Sequence, residues 1–375
     1  MAAQRILIMS TPVGPLGSGI GGGVELTLHS LVLGLTERGH MVEVVAPSDS
    51  LHVGVRVHQT DGALQIPSQT AGREAPIEMP ADSVLGAMWD WARMHQHEFD
   101  VILNLAYDWL PLYLTPFFTT PIAHLVSMGS LNEVMDQALL TLLDQRPGSA
   151  AVHSRAQADT FPGLAHRFTV LGNGIVVERY DMHVVADRPA YLGFVGRISP
   201  EKGIADVFAV SAATGMPVRA WGLMQDPECW AEAQRLHPTA LVSYEGFLPT
   251  DAMQAAIGGC TALLMTPKWV EAFGNVAIEA MACGVPVIAY RRGGPTEIIT
   301  DGVTGFLVPP DDIGALVAAV AHVESLDRIR CRQRVDEEFS TQAMAARVER
   351  WLEAVIAGQE QISPTAQIPQ PDTKN

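Results

Sequence analysis

The sequence predicts an α/β protein with two Rossmann-like domains, each a doubly wound parallel sheet, that face each other across a central cleft. Short apolar runs alternate with longer amphipathic stretches, as in βα units. This series occurs twice, before and after a polar segment at 181–189, and a length of 375 residues suits two domains better than one. Ligands bind at the carboxyl ends of the strands in such sheets, so the cleft is the expected site.

The first series predicts an N-terminal domain over 1–185. Its opening strand is predicted at 5–10, and the apolar spacing from Val24 to Leu35 predicts the helix that follows. The Gly- and Pro-containing stretch 48–81 gives no clear prediction. Further strands are predicted at 41–46, 100–105, 121–126 and 150–153.

The second series predicts a C-terminal domain over 186–340. A helix at 341–357 is expected to pack back on the first domain, and the Pro-, Gln- and Thr-rich segment 358–375 is expected to be a disordered tail. The strands of this domain are predicted at 191–195, 218–221, 241–244, 262–265 and 287–289.

The composition argues against several classes of protein. The net charge is −17, with 24 basic and 41 acidic residues, which argues against nucleic acid and an anionic membrane as partners. No apolar run approaches the roughly 18 residues of a membrane span, and no signal peptide is recognisable. The cysteines are widely spaced, so we expect reduced thiols in a cytoplasmic protein rather than disulfides or a metal site. They are Cys229, Cys260, Cys283 and Cys331.

A glycine-rich turn at 14–23 follows the first predicted strand and leads into a helix. Glycines let the backbone approach a ligand, and a helix N-terminus offers free N–H groups to an anion. The segment from Gly17 to Gly22 also matches the dinucleotide pattern G-x-G-x-x-G. Alanine and proline at 46–47 stand where a ribose-binding acid is expected, although Asp49 lies close by. The turn therefore indicates a phosphate-bearing ligand, with a dinucleotide as the alternative.

Two further motifs follow predicted strands of the second domain. Arg197 and Lys202 occupy a short turn, where a forked guanidinium and a compact ammonium suit the charge of a departing nucleoside diphosphate. Glu271 precedes a helix predicted from Gly274, and Glu279 lies within that helix among apolar residues. Carboxylates suit sugar and ribose hydroxyls, and they stabilise an oxocarbenium-like transition state.

Together these motifs resemble the large fourth family of retaining glycosyltransferases, which has the GT-B fold. The resemblance rests on Gly22-Gly23-Val24-Glu25, on Gly196-Arg197 with Glu201-Lys202-Gly203, and on the block from Glu271 to Glu279. It extends over residues 5–355, with supporting pieces at 38–40, 173–174, 246–247, 293–297 and 301–308.

The resemblance implies a sugar transfer with retention, without a metal or cofactor, in which the leaving phosphate helps to remove the acceptor's proton. The C-terminal domain is implied to bind the nucleotide sugar, and the N-terminal domain the acceptor. Arg197, Lys202 and Glu271 are the implied catalytic residues: the two cations hold the diphosphate, and the carboxylate meets the transferred sugar. Glu279 is implied to bind the ribose. The other implied donor-binding residues are Gly22, Gly23, Ala272, Phe273, Gly274 and Asn275.

One position departs from this family. Many relatives carry a histidine after the fifth strand of the first domain, where this chain has Ser127. His124 lies within the predicted strand and is interpreted as a core histidine, with a catalytic role as the alternative. The sequence therefore names no side chain as a catalytic base.

A closer resemblance, carried by the segments 10–19, 107–118 and 268–275, further implies UDP-glucose as the donor and a reduced, tetrahydrobiopterin-like pterin as the acceptor. Aromatic rings beside hydrogen-bonding groups suit a flat heterocycle, although local packing is an alternative explanation of them. The candidate acceptor-binding residues are Asn104, Tyr107, Asp108, Trp109, Ser127 and Met128. Competing hypotheses are another small acceptor or donor sugar, a nicotinamide- or flavin-dependent oxidoreductase, and a non-catalytic sugar-nucleotide sensor. The sequence predicts neither the acceptor atom nor the oligomeric state.

Overall fold

The computed structural model describes residues 3–19, 21–51, 54–66 and 73–362. The first domain has seven strands, namely β1 Arg5–Met9, β2 Met41–Pro47, β3 Arg56–Thr60, β4 Val101–Asn104, β5 Ile122–Val126, β6 Ala150–Val152 and β7 Thr169–Val170. Its helices are α1 Gly23–Glu37, α2 Val84–His95, α3 Trp109–Leu114, α4 Glu133–Gln145 and α5 Arg155–Ala158.

The second domain repeats this alternation. Its strands are β8 Leu192–Val195, β9 Val218–Trp221, β10 Val242–Gly246, β11 Ala262–Met265, β12 Val287–Tyr290 and β13 Gly305–Val308. The helices after β8 are α6 Ile204–Thr214, α7 Pro227–Leu236, α8 Thr250–Gly258, α9 Asn275–Ala282, α10 Pro295–Ile298, α11 Ile313–His322, α12 Arg328–Glu338 and α13 Thr341–Ile362.

Both sheets have the doubly wound order that the sequence predicts. The strand order is β3-β2-β1-β4-β5-β6-β7 in the first sheet and β10-β9-β8-β11-β12-β13 in the second. Every pair in both orders is parallel. The order reverses between β1 and β4 and between β8 and β11, and a ligand crevice forms at such switch points. The predicted α/β class with two Rossmann-like domains is confirmed.

Two of the strands that the sequence did not predict lie at the edges of the first sheet. β3 falls in the stretch without a clear prediction, and its side chains are half-buried or exposed and, except for Val57, polar. An edge strand of this kind lacks the apolar run by which a buried strand is found. β7 has only two residues. In the second sheet, β13 lies within the motif at 301–308, where the sequence analysis predicts no strand.

The chain crosses between the domains earlier than residue 185. Ile175, Val177 and Tyr180 are buried in the core of the second domain, so the boundary set by packing lies near residue 174. The polar segment 181–189 follows the crossing and lies against that domain, where the backbone N–H of His183 donates to the carbonyl of Cys283 at 3.0 Å.

The C-terminal helix α13 returns to the first domain and packs along α1. Gly34 permits this contact, because a Cβ there would lie 2.7 Å from the Cβ of Ala345. The helix ends at Ile362 rather than at the predicted 357. Gln and Glu at 359–361 are good helix formers, although their polarity suggests a tail. The remainder of the predicted tail, 363–375, lies outside the described residues.

A buried carboxylate fixes α13 to the first domain. The side chain of Glu349, only 3% exposed, accepts hydrogen bonds from Arg38 and from Nε2 of His40, the latter at 3.0 Å. Burial raises the pKa of Glu349, but the bonds from Arg38 and His40 outweigh it and hold this pKa below its usual value.

In the part of the chain that the structure describes, we find no helix with the length and apolar character to cross a bilayer.

We expect Glu349→Gln to lower the free energy of unfolding at pH 7 by about 1.5–3 kcal/mol, since it removes the charge that accepts hydrogen bonds from Arg38 and His40. Because the folded pKa is lowered, this loss should be complete above the carboxyl's ordinary pKa and should shrink as the pH falls below it. Denaturant titrations at several pH values measure both effects. Glu353→Gln, one turn along the same helix, is the control. Equal stability of the two variants would contradict the stabilising role of Glu349.

Candidate active site

A cavity of about 780 Å³ lies between the domains, bordered by the turns that follow β1, β8 and β11. It therefore occupies the crevice that the two strand orders create. The predicted residues that line it are Gly22, Gly23, Tyr107, Ser127, Met128, Arg197, Lys202, Glu271, Ala272, Phe273, Gly274 and Asn275. Among the described residues, no group of three or more His, Cys, Asp or Glu is placed to hold a metal ion.

The glycine-rich turn is gathered around one carboxylate, that of Glu25 in the first turn of α1. Its oxygens accept hydrogen bonds from the backbone N–H groups of Gly17, Gly19 and Gly21 at 2.9, 3.3 and 2.7 Å. A dinucleotide phosphate would need these same N–H groups, and a carboxylate already engages them. The geometry therefore disfavours the dinucleotide alternative and leaves Gly22 and Gly23 at the cavity wall.

Lys202 and Glu271 meet on the wall formed by the second domain. Nζ of Lys202 donates to Oε2 of Glu271 at 2.6 Å. The same oxygen accepts from Nε1 of Trp269 at 3.1 Å, and the ammonium lies 5.1 Å from the centroid of that indole. An ammonium has three donors, so Lys202 can bind phosphate oxygens while it remains bonded to Glu271.

Arg197 is held at the same wall by two side chains. Its Nη1 donates to Oε1 of Gln225 at 2.9 Å, and its Nη2 lies 3.0 Å from Oε1 of Glu201. These contacts orient the guanidinium in the cavity lining. The structure therefore brings both predicted cations to the cleft, across from Gly22 and Gly23.

The segment 271–275 is fixed by close backbone contacts. A Cβ on Gly294 would lie 2.1 Å from the carbonyl oxygen of Phe273, and the N–H of Gly294 donates to the carbonyl of Glu271 at 2.8 Å. From the other domain, Gly23 approaches so closely that its Cβ would lie 3.0 Å from Nδ2 of Asn275. A side chain at Gly294 would displace the segment, and one at Gly23 would crowd Asn275.

Direct hydrogen bonds join the two domains at the floor of the cavity. Oγ of Ser154 donates to the carbonyl of Ala272 at 2.6 Å, and Nδ2 of Asn173 donates to Oδ1 of Asn275 at 2.7 Å. Farther out, the carboxylate of Glu297 accepts from the backbone N–H groups that begin α5, at 2.9 and 3.0 Å. Both domains therefore determine the position of the segment 271–275.

Glu279 does not line the cavity, although α9 begins at its wall. Its Oε1 accepts a hydrogen bond from the hydroxyl of Tyr180 at 3.0 Å. Burial raises the pKa of this carboxyl, and the bond from Tyr180 opposes the rise. Its other oxygen, Oε2, has no hydrogen bond of this kind among the described contacts, but the cavity lining does not include Glu279.

Three of the six candidate acceptor residues lie outside the cavity lining. The side-chain amide of Asn104 bonds to the backbone of Ala106, at 2.9 Å from its carbonyl oxygen and 3.1 Å from its nitrogen. Asp108 accepts from the N–H of Leu110 at 3.0 Å and so caps α3. Trp109 stacks on Tyr113 beside a separate cavity of about 710 Å³. Their position near the end of a predicted strand makes these residues candidates. The sequence does not show that their side chains bond to, or stack on, residues close by in the chain.

His124 is a core histidine. Its Nε2 lies 2.9 Å from Oγ1 of Thr115, its Nδ1 lies 3.1 Å from Nδ2 of Asn104, and burial lowers its pKa to about 3. The cavity is also lined by residues outside the predicted site set, among them His153, Asn173, Gln225 and Trp269. His153 ends a predicted strand, Asn173 lies in the supporting piece at 173–174, and Trp269 lies two residues before Glu271, so these positions are the signals that find them. Gln225 has no such signal in the sequence.

The second domain matches the sequence family described as Glycosyl transferases group 1 over residues 178–343. A glycogen synthase from Mycobacterium tuberculosis is 31% identical over 220 residues, which are 54% of this chain and 52% of the relative. The chain thus spans about half the length of that relative. A D-inositol 3-phosphate glycosyltransferase from Rhodococcus erythropolis is 27% identical over 397 aligned positions, covering 90% of this chain and 88% of the relative.

Solved structures share the fold over nearly the whole chain. HepE from Anabaena, in complex with UDP and glucose, superposes with a TM-score of 0.71 at 19% identity, covering 94% of this chain and 100% of that chain. Such a likeness establishes the GT-B arrangement of two facing domains. Residues 178–343 are thus similar to the group 1 glycosyl transferases, and they lie within a chain of GT-B fold.

Proposed function

We propose that this protein is a retaining, metal- and cofactor-independent glucosyltransferase that moves glucose from UDP-glucose to a reduced, tetrahydrobiopterin-like pterin. The observation that carries the proposal is that Arg197 and Lys202 of the second domain line the same cavity as Gly22 and Gly23 of the first. One diphosphate fits between such a pair of cations and a side-chain-free backbone. The widely spaced cysteines favour a cytoplasmic enzyme.

The proposed reaction makes use of the charges at this site. The bond between the anomeric carbon and the β-phosphate oxygen breaks, and the negative charge that develops on UDP lies beside Lys202 and Arg197. The acceptor forms the new bond on the same face of the sugar, and its proton passes to the departing phosphate. The carboxylate of Glu271 stabilises the positive charge on the sugar in the transition state.

The cavity wall of the first domain favours an uncharged acceptor. Among the described lining residues, Arg197 and Lys202 are the only Lys or Arg side chains, and both belong to the second domain. Tyr107, Ser127 and Met128 offer an aromatic ring, a hydroxyl and an apolar side chain, which suit a flat heterocycle. A phosphorylated acceptor, such as the one in the name of the Rhodococcus relative, would lack a cation on this wall.

The direct test is to incubate the protein with UDP-glucose and tetrahydrobiopterin and to search for a product heavier by one hexosyl unit. The proposal expects this product, with an α linkage by NMR. UDP release with other acceptors but not with pterins would overturn the pterin acceptor alone. Binding of NAD without binding of UDP would favour the oxidoreductase, and UDP-glucose binding without UDP release to any acceptor would favour a sensor.

Lys202→Ala should reduce kcat by about 10²–10³-fold, the scale of one preorganised electrostatic donor. The ammonium stabilises charge that appears as UDP leaves, so the loss should fall on turnover. Thermal unfolding should be nearly unchanged, since the side chain lines a cavity rather than a core. Steady-state kinetics measure the effect, with the exposed Arg93→Ala on α2 as the control. Activity within a few-fold of wild type would contradict the role.

Glu271→Gln should lower kcat more than it weakens UDP binding. The amide keeps the shape of the side chain but removes the charge that stabilises the sugar in the transition state. Kinetics together with calorimetric titration of UDP separate the two quantities, and Glu245→Gln, on the edge strand β10, is the control. Equal losses in turnover and in UDP affinity would argue against a role at the sugar.

A further inference from the structure

His153 is a lining residue of the cavity that the proposed mechanism does not use. It follows β6, and it is only 7% exposed although it borders the cavity. Its backbone N–H donates to Oε1 of Gln157 at 2.8 Å, and the amide of Gln157 in turn donates to the carbonyls of Val126 and Met128 at 2.8 and 2.9 Å. The backbone at His153 is therefore tied to the acceptor wall.

The hydrogen bonds of the imidazole assign its tautomer. Nδ1 lies 3.0 Å from the carbonyl oxygen of Gly172, which is only an acceptor, so Nδ1 carries the proton. Burial lowers the pKa of His153, and the ring is neutral at pH 7. Nε2 then carries a lone pair, and among the described residues no hydrogen-bond partner reaches it. Because His153 lines the cavity, this nitrogen can accept a hydrogen bond from a donor that occupies the cavity.

The surroundings of the ring indicate which donor it meets. The neighbouring Ser154 is bonded to the carbonyl of Ala272, and the centroid of the Phe273 ring lies 6.1 Å from that of the imidazole. Asn173, next to the carbonyl that holds Nδ1, is bonded to Asn275. His153 therefore lies over the segment 272–275, which the proposed function assigns to the transferred sugar.

We infer that Nε2 of His153 accepts a hydrogen bond from one hydroxyl group of the transferred sugar. This inference rests on the proposed function, because it takes the occupant of the segment 272–275 to be a hexose attached to UDP. His153 then distinguishes a sugar-bearing nucleotide from the nucleotide alone. A neutral acceptor nitrogen recognises a hydroxyl without adding charge beside the diphosphate.

The test compares His153→Phe, which keeps a ring but removes the acceptor, with His153→Gln, which keeps an acceptor oxygen. Calorimetric titrations without the glucosyl acceptor use UDP, UDP-glucose and the series of UDP-deoxyglucoses, each lacking one hydroxyl. His95→Phe is the matched control, because Nδ1 of His95 also donates to a backbone carbonyl, that of Trp91, but away from the cavity.

We expect His153→Phe to bind UDP like the wild type and UDP-glucose about 3- to 10-fold more weakly, as for the loss of one hydrogen bond. His153→Gln should restore most of this affinity. One deoxy analogue should bind the wild type more weakly than UDP-glucose does. The same analogue should bind His153→Phe as tightly as UDP-glucose does. Unchanged UDP-glucose affinity in a variant that still binds UDP would overturn the inference alone, whereas wild-type protein that binds no UDP would overturn the proposed function.

Discussion

The site depends on how closely backbone approaches backbone around the segment 271–275. Gly294 lies beneath the segment and Gly23 reaches it from the other domain, and a Cβ on Gly294 would lie only 2.1 Å from the carbonyl oxygen of Phe273. These contacts hold Glu271 and the start of α9 in place before any ligand binds. Electrostatic stabilisation is effective when the groups need no rearrangement during the reaction, so this close packing is part of the proposed chemistry.

The proposed function requires a protein with a net charge of −17 to bind a diphosphate without repelling it. Three carboxylates in or beside the turns that border the cavity have partners that offset their charge. Glu25 accepts three backbone N–H groups, Glu201 pairs with Arg197, and Glu271 pairs with Lys202. Because distant surface charges are screened in salt, the local balance sets the potential in the cleft. The acidic composition therefore argues against a polyanionic partner, but it is compatible with a small phosphorylated ligand.

The sequence predicts what depends on periodicity and motif, and it misses what depends on three-dimensional neighbours. β1, α1 and β8 follow from apolar spacing, and Arg197, Lys202 and Glu271 follow from their motifs. Asn104 and Asp108 have the right chemistry at the right strand end, but their side chains bond to the backbone of the next few residues. Whether a polar side chain bonds locally or faces a cleft is decided by backbone geometry, which a residue pattern does not contain.

The two walls of the cavity carry different information about the reaction. The family match covers 178–343, which includes the wall with both cations, and it does not reach the wall that contains Tyr107, Ser127 and His153. Likeness to relatives therefore supports the donor chemistry and says little about the acceptor. The acceptor must be inferred from the first domain itself, where an aromatic ring, small polar groups and a neutral imidazole line the wall. That wall suits an uncharged, flat, hydrogen-bonding molecule better than a phosphorylated one, because it offers a phosphate no cation among the described lining residues.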